Sequence, residues 1–464
     1  MKSFIKFSLA FLLPAALLMS CRQQNPVLEI EGGKVQGVPS ADGSCLIYRG
    51  IPFAAAPVGD LRWKRPQPVT PWEGVRIADS FGNAAMQAAH DPNDGNYGTE
   101  FFEEDAPFSE DCLYLNVWTP ADAAGKTGRK LPVAMWVHGG AYTGGWGFEP
   151  EMDGEAWAAK DVILVTINYR LGVFGFFSHP LLCQENEEGI AGNYGTFDQV
   201  AALDWVVNNI AQFGGDPNNI MVFGQSAGAA SIKNLVSSPM SKGKISSAVI
   251  MSGGGVTEVM RVAADQQTKN EQGLAIAQEA GLETLEQLRA ASYEELMTAS
   301  NAYMFKTRQY MAFGPHADGV VLTKDFSVAA LDNEIADVPY MLGYLADDIA
   351  GLNSGFERFA EIRSENSKEN TYLYYFKRPL PTDGRPALKG AFHSSELWYV
   401  FATQDRSWRP FTEADHELSE RMVSYWTNFA KYGNPNGKQF KEGTEDYWAP
   451  ATGTNPVFMT LDIK

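Results

Sequence analysis

Short runs of consecutive apolar residues alternate along this chain with stretches in which apolar positions recur at helical spacing. A continuous run is typical of a strand that is buried on both faces. Helical spacing is clearest between residues 200 and 210, where the apolar side chains share one face. The alternation predicts an α/β fold and argues against an all-α or an all-β one. The predicted buried strands are residues 133–137, 162–169, 220–223 and 247–252.

The remaining stretches predict how the chain is organised around these strands. Residues 27–80 combine short β-type runs with Gly and Pro, which indicates a β-rich N-terminal part. Residues 84–110 are polar and acidic with little periodicity, and predict an exposed loop. Residues 258–312 are charged and helix-biased, and predict an insertion or cap. Because no repeat or linker divides the chain, residues 27–464 are interpreted as a single domain.

The first residues predict an export signal. Lys2 and Lys6 form a basic region, and residues 7–18 are almost entirely apolar. This apolar run is too short to span a bilayer and is typical of a secretory signal. We therefore expect residues 1–20 to be a signal peptide.

The end of this signal resembles a bacterial lipoprotein box, in which a cysteine that follows a small residue becomes lipid-modified after cleavage. Residues 18–21 read Leu-Met-Ser-Cys. We expect Cys21 to be lipidated and residues 21–26 to form a tether. The protein is then an exported cell-envelope lipoprotein, on the periplasmic or outer-membrane side, rather than a fully secreted one. The alternative is an ordinary signal peptide that contains a cysteine.

Charge and cysteine content narrow the classes of partner. The formal net charge is −19, which makes nucleic acid a poor partner. The cysteines beyond Cys21 are Cys45, Cys112 and Cys183, an odd number, so at least one thiol is free. Neither the cysteines nor the six histidines follow a metal-binding spacing, and no metal is expected.

One pentapeptide, Gly-Gln-Ser-Ala-Gly at residues 224–228, carries the strongest chemical signal. It follows the predicted strand 220–223 and precedes small residues that favour a helix. A serine between glycines at a sharp strand-to-helix turn is typical of a nucleophile elbow, which holds the serine oxygen clear of the sheet. The alternative is a chance match in a chain with 44 glycines. The flanking elements favour Ser226 as a nucleophile.

A second motif follows the predicted strand 133–137. Residues 138–141 read His-Gly-Gly-Ala and match the type of loop whose backbone N–H groups form an oxyanion hole. Acyl transfer places negative charge on a carbonyl oxygen, and preset N–H dipoles stabilise that charge. We expect the donors to be the amides of Gly140, Ala141 and Ala227.

Together these motifs resemble the type-B carboxylesterase/lipase family of α/β-hydrolases, which includes the cholinesterases. The resemblance spans essentially the whole chain beyond the export signal. It implies an α/β-hydrolase fold with a large, mostly parallel twisted sheet, helices on both faces and helical cap insertions. It also implies hydrolysis of small-molecule carboxylic esters without a cofactor. The other matching segments are residues 50–54, 110–117, 168–172, 192–193, 198–199 and 426–435.

A catalytic serine needs a histidine base, and three histidines follow Ser226. His416 falls on the polar side of a predicted amphipathic helix and is interpreted as a surface residue. His393 begins a His-Ser-Ser-Glu-Leu segment that matches the family's catalytic His-x-x-Glu-Leu segment. The resemblance assigns His393 as the general base, with His316, which could line the gorge, as the second candidate.

The acid of the triad is expected after the predicted strand at residues 338–344. Asp348 aligns with the family's catalytic Glu and is one methylene shorter, so the resemblance assigns it as the acid. Asp347 is the second candidate, because its counterpart in the family is a structural turn residue.

Three departures from the family pattern affect the details. Gln225 replaces a Glu, which predicts weaker attraction for cationic alcohols. Ala141 replaces a glycine and adds a methyl group that could narrow the pocket. The cysteine that would pair with Cys112 is absent from residues 83–87, so that disulfide cannot form.

The sequence therefore predicts a serine carboxylesterase that acts through an acyl-serine intermediate. A catalytically inactive binding or adhesion module is the alternative, and a serine peptidase has less support. The natural ester and the oligomeric state are not determined by these residues. Aromatic residues that suggest either an apolar or sugar-stacking pocket or a packed core are Tyr142, Trp146, Trp157 and Trp398.

Overall fold

The computed structural model describes residues 25–90, 97–101, 106–258, 261–262, 264–309, 312–385, 387–453 and 456–464. The predicted signal peptide and Cys21 lie outside these residues. At the end of the predicted tether, Asn25 already contacts the fold, since its side-chain amide donates to the carbonyl of Gly37 at 3.0 Å. Among the described helices, none has the length and apolar character needed to cross a membrane.

Strands and helices alternate through the described residues. The strands are β1 (Val27–Ile30), β2 (Gly33–Pro39), β3 (Cys45–Pro52), β4 (Val75–Ala78), β5 (Ala84–Ala85), β6 (Phe108–Ser109), β7 (Tyr114–Pro120), β8 (Leu131–Val137), β9 (Ile163–Ile167), β10 (Gly215–Gln225), β11 (Ser247–Met251), β12 (Tyr340–Leu345), β13 (Thr371–Phe376) and β14 (Phe458–Leu461). The helices are α1 (Tyr97–Phe101), α2 (Glu155–Ala158), α3 (Gly172–Phe176), α4 (Pro180–Cys183), α5 (Tyr194–Asn209), α6 (Ala227–Ser237), α7 (Gln266–Glu279), α8 (Leu285–Ala290), α9 (Tyr293–Thr307), α10 (Phe326–Leu331), α11 (Phe356–Asn366), α12 (Leu397–Val400) and α13 (Glu413–Tyr432).

One large sheet organises the described part of the chain. Its strand order is β1-β2-β3-β7-β9-β8-β10-β11-β12-β13-β14, with β4 paired to β2. Neighbours from β1 to β9 are antiparallel, whereas neighbours from β9 to β14 are parallel. The mostly parallel sheet expected from the sequence is therefore confirmed. The strand that precedes Ser226, β10, lies in the middle of the sheet between β8 and β11.

Helices cover both faces of this sheet, because its central strands are apolar on both sides. In β8, Met135 faces a cluster that includes α5 and α6, whereas Trp136 faces a second cluster that includes α13. Both side chains are fully buried. Burial on both faces explains why the strand is a continuous apolar run rather than an alternating one.

The prediction of an exposed loop at residues 84–110 is wrong for the described part of that stretch. It contains β5, β6 and α1, and Glu100 and Phe101 are both buried. The buried carboxylate of Glu100 is compensated by Arg409, which a reading of local polarity could not anticipate. The helix-biased stretch at 258–312 contains α7, α8 and α9 in its described residues.

Candidate active site

Ser226 lies on a sharp turn between β10 and α6. Its φ of 59° and ψ of −123° are strained for a residue with a side chain. The turn is held by a hydrogen bond from the amide of Ser226 to the carbonyl of Met251 at 2.9 Å. A Cβ atom at Gly228 would lie 2.1 Å from the carbonyl oxygen of Val137. The helix can therefore approach the sheet only because this position is glycine.

His393 contacts one of the two candidate acids. Its Nδ1 lies 2.5 Å from Oδ1 of Asp348, and both side chains are almost completely buried. The carboxylate of Asp348 also accepts hydrogen bonds from the hydroxyl of Ser252 at 2.7 Å and from the amides of Leu345 and Ile349 at 3.1 and 2.9 Å. These donors fix the carboxylate, which in turn orients the imidazole ring. Ser252 was not identified from the sequence.

Asp347 has a different role in the structure. Its Oδ2 accepts the amide of Ala391 at 2.9 Å, and its own amide donates to the carbonyl of the same residue at 3.0 Å. These bonds hold the loop that carries His393. Asp347 therefore supports the loop, as expected of a turn residue, and Asp348 is the carboxylate at the imidazole.

The side chain of Gln225 packs against the ring of His393. Its Nε2 lies 3.4 Å from Nδ1 and 3.2 Å from Nε2 of the imidazole. Because these distances are nearly equal, the amide lies over the face of the ring and not along the lone pair of either nitrogen. The lone pair of Nε2 of His393 therefore remains available to a hydrogen-bond donor in the plane of the ring. Ser226, the next residue after Gln225, carries a hydroxyl group that could be this donor.

The three amides predicted to bind an oxyanion lie at the ends of two neighbouring segments. Gly140 and Ala141 follow β8 and have φ values of 94° and 53°. Among the described residues, no carbonyl or side chain accepts a hydrogen bond from either amide. Ala227 begins α6, and the first amides of a helix have no partner within it. All three amides are thus free to bind a ligand.

His138 supports this loop from behind. Its Nδ1 lies 2.9 Å from the carbonyl oxygen of Gly139, and its ring stacks on Tyr169 with centroids 4.4 Å apart. Burial lowers the pKa of His138 to about 4, so the ring is neutral near neutral pH. A neutral imidazole donates to the carbonyl without adding charge behind the loop.

A cavity of about 450 Å³ unites these groups. Gly140, Ala141, Ser226 and His393 all line it. A serine hydroxyl, an imidazole held by a carboxylate and free amides in one cavity can together carry out nucleophilic attack on a carbonyl group. In the part of the chain that the structure describes, no group of three or more His, Cys, Asp or Glu side chains could hold a metal ion.

Several lining residues were not identified from the sequence. Tyr97 and Phe101, from α1, and Glu149 and Glu151, which follow the loop at residues 138–141, all line the cavity. No local pattern distinguishes these positions, because the contacts that place them come from distant parts of the chain. For the four aromatic residues singled out in the sequence, the packed-core alternative is confirmed and the pocket alternative is not. Tyr142, Trp146, Trp157 and Trp398 are all buried and none lines the cavity.

The other two candidate histidines lie elsewhere. His316 is fully buried and does not line the cavity; its Nε2 lies 3.3 Å from Oε1 of Gln266. His416 is exposed on α13, as predicted. The described cysteines Cys45, Cys112 and Cys183 are free and buried. The roles of Ser226, His393 and Asp348 stay predictions that this geometry supports.

Comparison with known proteins gives consistent matches. The model of the "Carboxylesterase family" matches residues 24–362 and 345–464. A fumonisin B1 esterase from Sphingopyxis macrogoltabida is 32% identical over 93% of this chain and 86% of its own length. A cocaine esterase from Oryctolagus cuniculus is 33% identical over 89% of each chain.

Solved structures share the fold over almost the whole chain. A thermophilic PNB esterase superposes with a TM-score of 0.80 at 28% identity, covering 94% of this chain and 96% of its own. A carboxylesterase from Geobacillus stearothermophilus superposes with a TM-score of 0.76 at 31% identity and the same coverage.

Proposed function

Since this chain belongs to the carboxylesterase family and is a carboxylic ester hydrolase, we propose that it cleaves small-molecule esters through an acyl-serine intermediate at Ser226. His393 acts as general base and then general acid, and Asp348 orients and stabilises its imidazolium form. The oxyanion donors are the amides of Gly140, Ala141 and Ala227.

The reaction runs in two halves. The hydroxyl of Ser226 attacks the ester carbonyl as its proton moves to Nε2 of His393. The tetrahedral intermediate collapses, the C–O bond to the alcohol breaks, and His393 returns the proton to the leaving alkoxide. Water then attacks the acyl-serine with the same base, and the carboxylic acid leaves as the serine regains its proton.

One observation carries this proposal. The 2.5 Å contact between Nδ1 of His393 and Oδ1 of Asp348 lies beside the cavity that Ser226 also lines. A carboxylate at Nδ1 favours the tautomer in which Nε2 is a proton acceptor. The imidazole is thereby prepared for the hydroxyl of a serine on a strained turn.

Hydrolysis of short p-nitrophenyl esters tests the proposal. We expect Ser226→Ala to lower kcat by about four to six orders of magnitude. Ser237→Ala, at the other end of α6, is the matched control and should keep full activity. A fluorophosphonate should label the wild type at Ser226 and leave Ser226→Ala unlabelled. Equal rates for the two proteins would refute the mechanism, and a folded protein inert to both reagents would favour the binding or adhesion module.

We further propose that the protein is exported and anchored through a lipid on Cys21, on the grounds of the residues around its predicted signal. Expression of the full chain in a bacterium with labelled palmitate tests this. The wild type should be labelled and recovered with membranes, whereas Cys21→Ser should be unlabelled. An unlabelled wild type would leave the ordinary signal peptide as the explanation.

A further inference from the structure

Two carboxyl groups line the cavity in addition to the residues of the proposed mechanism. Glu149 and Glu151 are 8% and 1% exposed, and both border the space that Ser226 and His393 share. Oε1 of Glu149 accepts the amide of Trp146 at 2.9 Å. No N–H or hydroxyl group of the described residues donates to Oε2 of Glu151, whose side chain hydrogen-bonds that of Glu149. Buried carboxyl oxygens with so few donors are costly, so this wall of the cavity is suited to a polar ligand.

Among the described residues that line the cavity there is no Lys or Arg, and the lining histidines are His90 and His393. Glu100 lies near Glu151, but Glu100 is already paired with Arg409. Nη2 of Arg409 lies 2.6 Å from Oε2 of Glu100. His138, close to Glu149, is neutral near neutral pH for the reason given above. No Lys or Arg in the lining of the cavity therefore compensates the two carboxyl groups.

Such a pair retains a proton near neutral pH. Burial raises the pKa of Glu149 to about 7, and burial together with the charge of Glu149 raises the pKa of Glu151 well above its ordinary range. Two close carboxyl groups that share a proton offer both a hydrogen-bond donor and acceptors.

A hydroxyl group matches this arrangement, because it donates one hydrogen bond and accepts others, whereas an ammonium group only donates. Thr143 and Gln225, which also line the cavity, are neutral groups with the same dual capacity. We propose that Glu149 and Glu151 form a hydroxyl-binding subsite that selects esters bearing a hydroxyl group near the scissile bond. This inference rests on the proposed function of the cavity and names its substrate class.

Pairs of esters that differ only by methyl groups in place of hydroxyl groups test the subsite. On the alcohol side, the pair is 2,3-dihydroxypropyl butyrate and 2-methylbutyl butyrate. On the acyl side, it is methyl 3-hydroxybutanoate and methyl 3-methylbutanoate. The measured quantity is the ratio of kcat/KM for the hydroxylated ester to that for its apolar partner, by titration of released acid. We expect this ratio to exceed that of the Glu151→Leu variant on at least one side.

The variants separate hydrogen bonding from charge. Glu151→Leu removes both and should lower the ratio about ten- to hundredfold, because the hydroxyl then meets an apolar wall. Glu151→Gln keeps hydrogen bonding and should restore most of the ratio. Glu155→Leu, in the same segment but outside the cavity, is the control and should leave the ratio unchanged.

Two results would overturn the subsite. One is a ratio that Glu151→Leu leaves unchanged on both sides. The other is a preference for choline butyrate over 3,3-dimethylbutyl butyrate that Glu151→Gln abolishes, because it would identify a cation site. The apolar esters keep these results apart from the mechanism. If their hydrolysis is lost in Ser226→Ala, the mechanism stands even when the subsite fails.

Discussion

At the scale of single residues, Asp347 and Asp348 are adjacent in the chain, yet only one of them reaches His393. The backbone turn after β12 directs Asp348 to Nδ1 of the imidazole and Asp347 to the loop at Ala391. Neighbouring carboxylates thus make different contacts, one with the imidazole of His393 and the other with the loop that carries it.

These contacts predict different outcomes for two matched substitutions. Asp348→Asn should lower kcat about 10³- to 10⁴-fold, because an amide favours the wrong tautomer of His393. Asp347→Asn should leave most of kcat and lower the free energy of unfolding by about 1 kcal/mol through a weaker bond to Ala391. Steady-state kinetics and urea unfolding of both variants check this. A larger loss of kcat in Asp347→Asn would reverse the assignment.

The pentapeptide predicted Ser226 and the family resemblance predicted His393, because the sequence around each is local and specific. Neither could place Ser252, which reaches Asp348 from the end of another strand, or Glu151, whose neighbours are set by the fold. In the sequence, polar residues of this kind cannot be distinguished from ordinary surface residues, because the segments that bury them are distant in the chain. The resemblance favoured Asp348 over Asp347 as the acid. The structure supports this preference, because only Asp348 contacts the imidazole of His393.

At the scale of elements, the close contact between β8 and α6 requires a glycine, which has no side chain, at position 228. The Cβ of an alanine at Gly228 would lie 2.1 Å from the carbonyl oxygen of Val137 and 2.8 Å from that of His138. Both atoms belong to the backbone that leads into the loop at residues 138–141, and this backbone cannot shift without a large cost in energy.

We therefore expect Gly228→Ala to lower the free energy of unfolding by about 3 kcal/mol or more and to reduce kcat, because helix and strand must move apart at the site. Gly128→Ala is the control, since no atom lies within 4 Å of the Cβ position at Gly128. Thermal unfolding and ester hydrolysis measure both effects. Wild-type stability in Gly228→Ala would contradict the close approach.

Elements that are buried on both faces were the most predictable. The apolar runs gave β8 and β11 within a few residues, whereas β10 begins at Gly215, before its apolar part. The described part of residues 84–110 was predicted wrongly, because the burial of α1 depends on a partner far along the chain. Local polarity cannot reveal an ion pair of that kind.

At the scale of the whole molecule, that ion pair fastens the wall of the cavity to the C-terminal half. The guanidinium of Arg409 binds both oxygens of Glu100, and neither side chain is exposed to solvent. The same guanidinium donates to the carbonyls of Pro381 and Leu388 at 2.9 and 2.8 Å. One residue therefore connects α1 to two points of the segment between β13 and α12.

Removal of one partner leaves a buried charge without compensation. We expect Glu100→Gln to lower the free energy of unfolding by about 3–5 kcal/mol, and to raise KM because Tyr97 and Phe101 line the cavity from α1. Asp332→Asn, which breaks a more exposed pair with Lys324, should cost no more than about 1 kcal/mol. Chemical denaturation of both variants tests this. Similar losses of unfolding free energy in the two variants would show that the buried ion pair stabilises the fold no more than the exposed one.

The resemblance predicted the overall sheet, and the strand order confirms its mostly parallel character. Residue patterns alone gave only the α/β class, since they do not state which strands are neighbours. Pairing between β3 and β7, or between β13 and β14, joins segments that are far apart in the chain. Such long-range pairing depends on which strands pack best against each other in the whole fold. A short segment of sequence does not contain this information.

The path of the chain around the cavity offers a practical use. Gly140, Ala141 and Ser226 come before the segment of α7–α9, Asp348 and His393 come after it, and the described residues of that segment do not line the cavity. A chain divided within this segment would yield two fragments, each with an incomplete set of reactive groups. They would rejoin along the edge between β11 and β12. If the two fragments were fused to two proteins that bind each other, they would form a complementation reporter. Hydrolysis of a p-nitrophenyl ester would then report the binding of the two proteins by a change of colour.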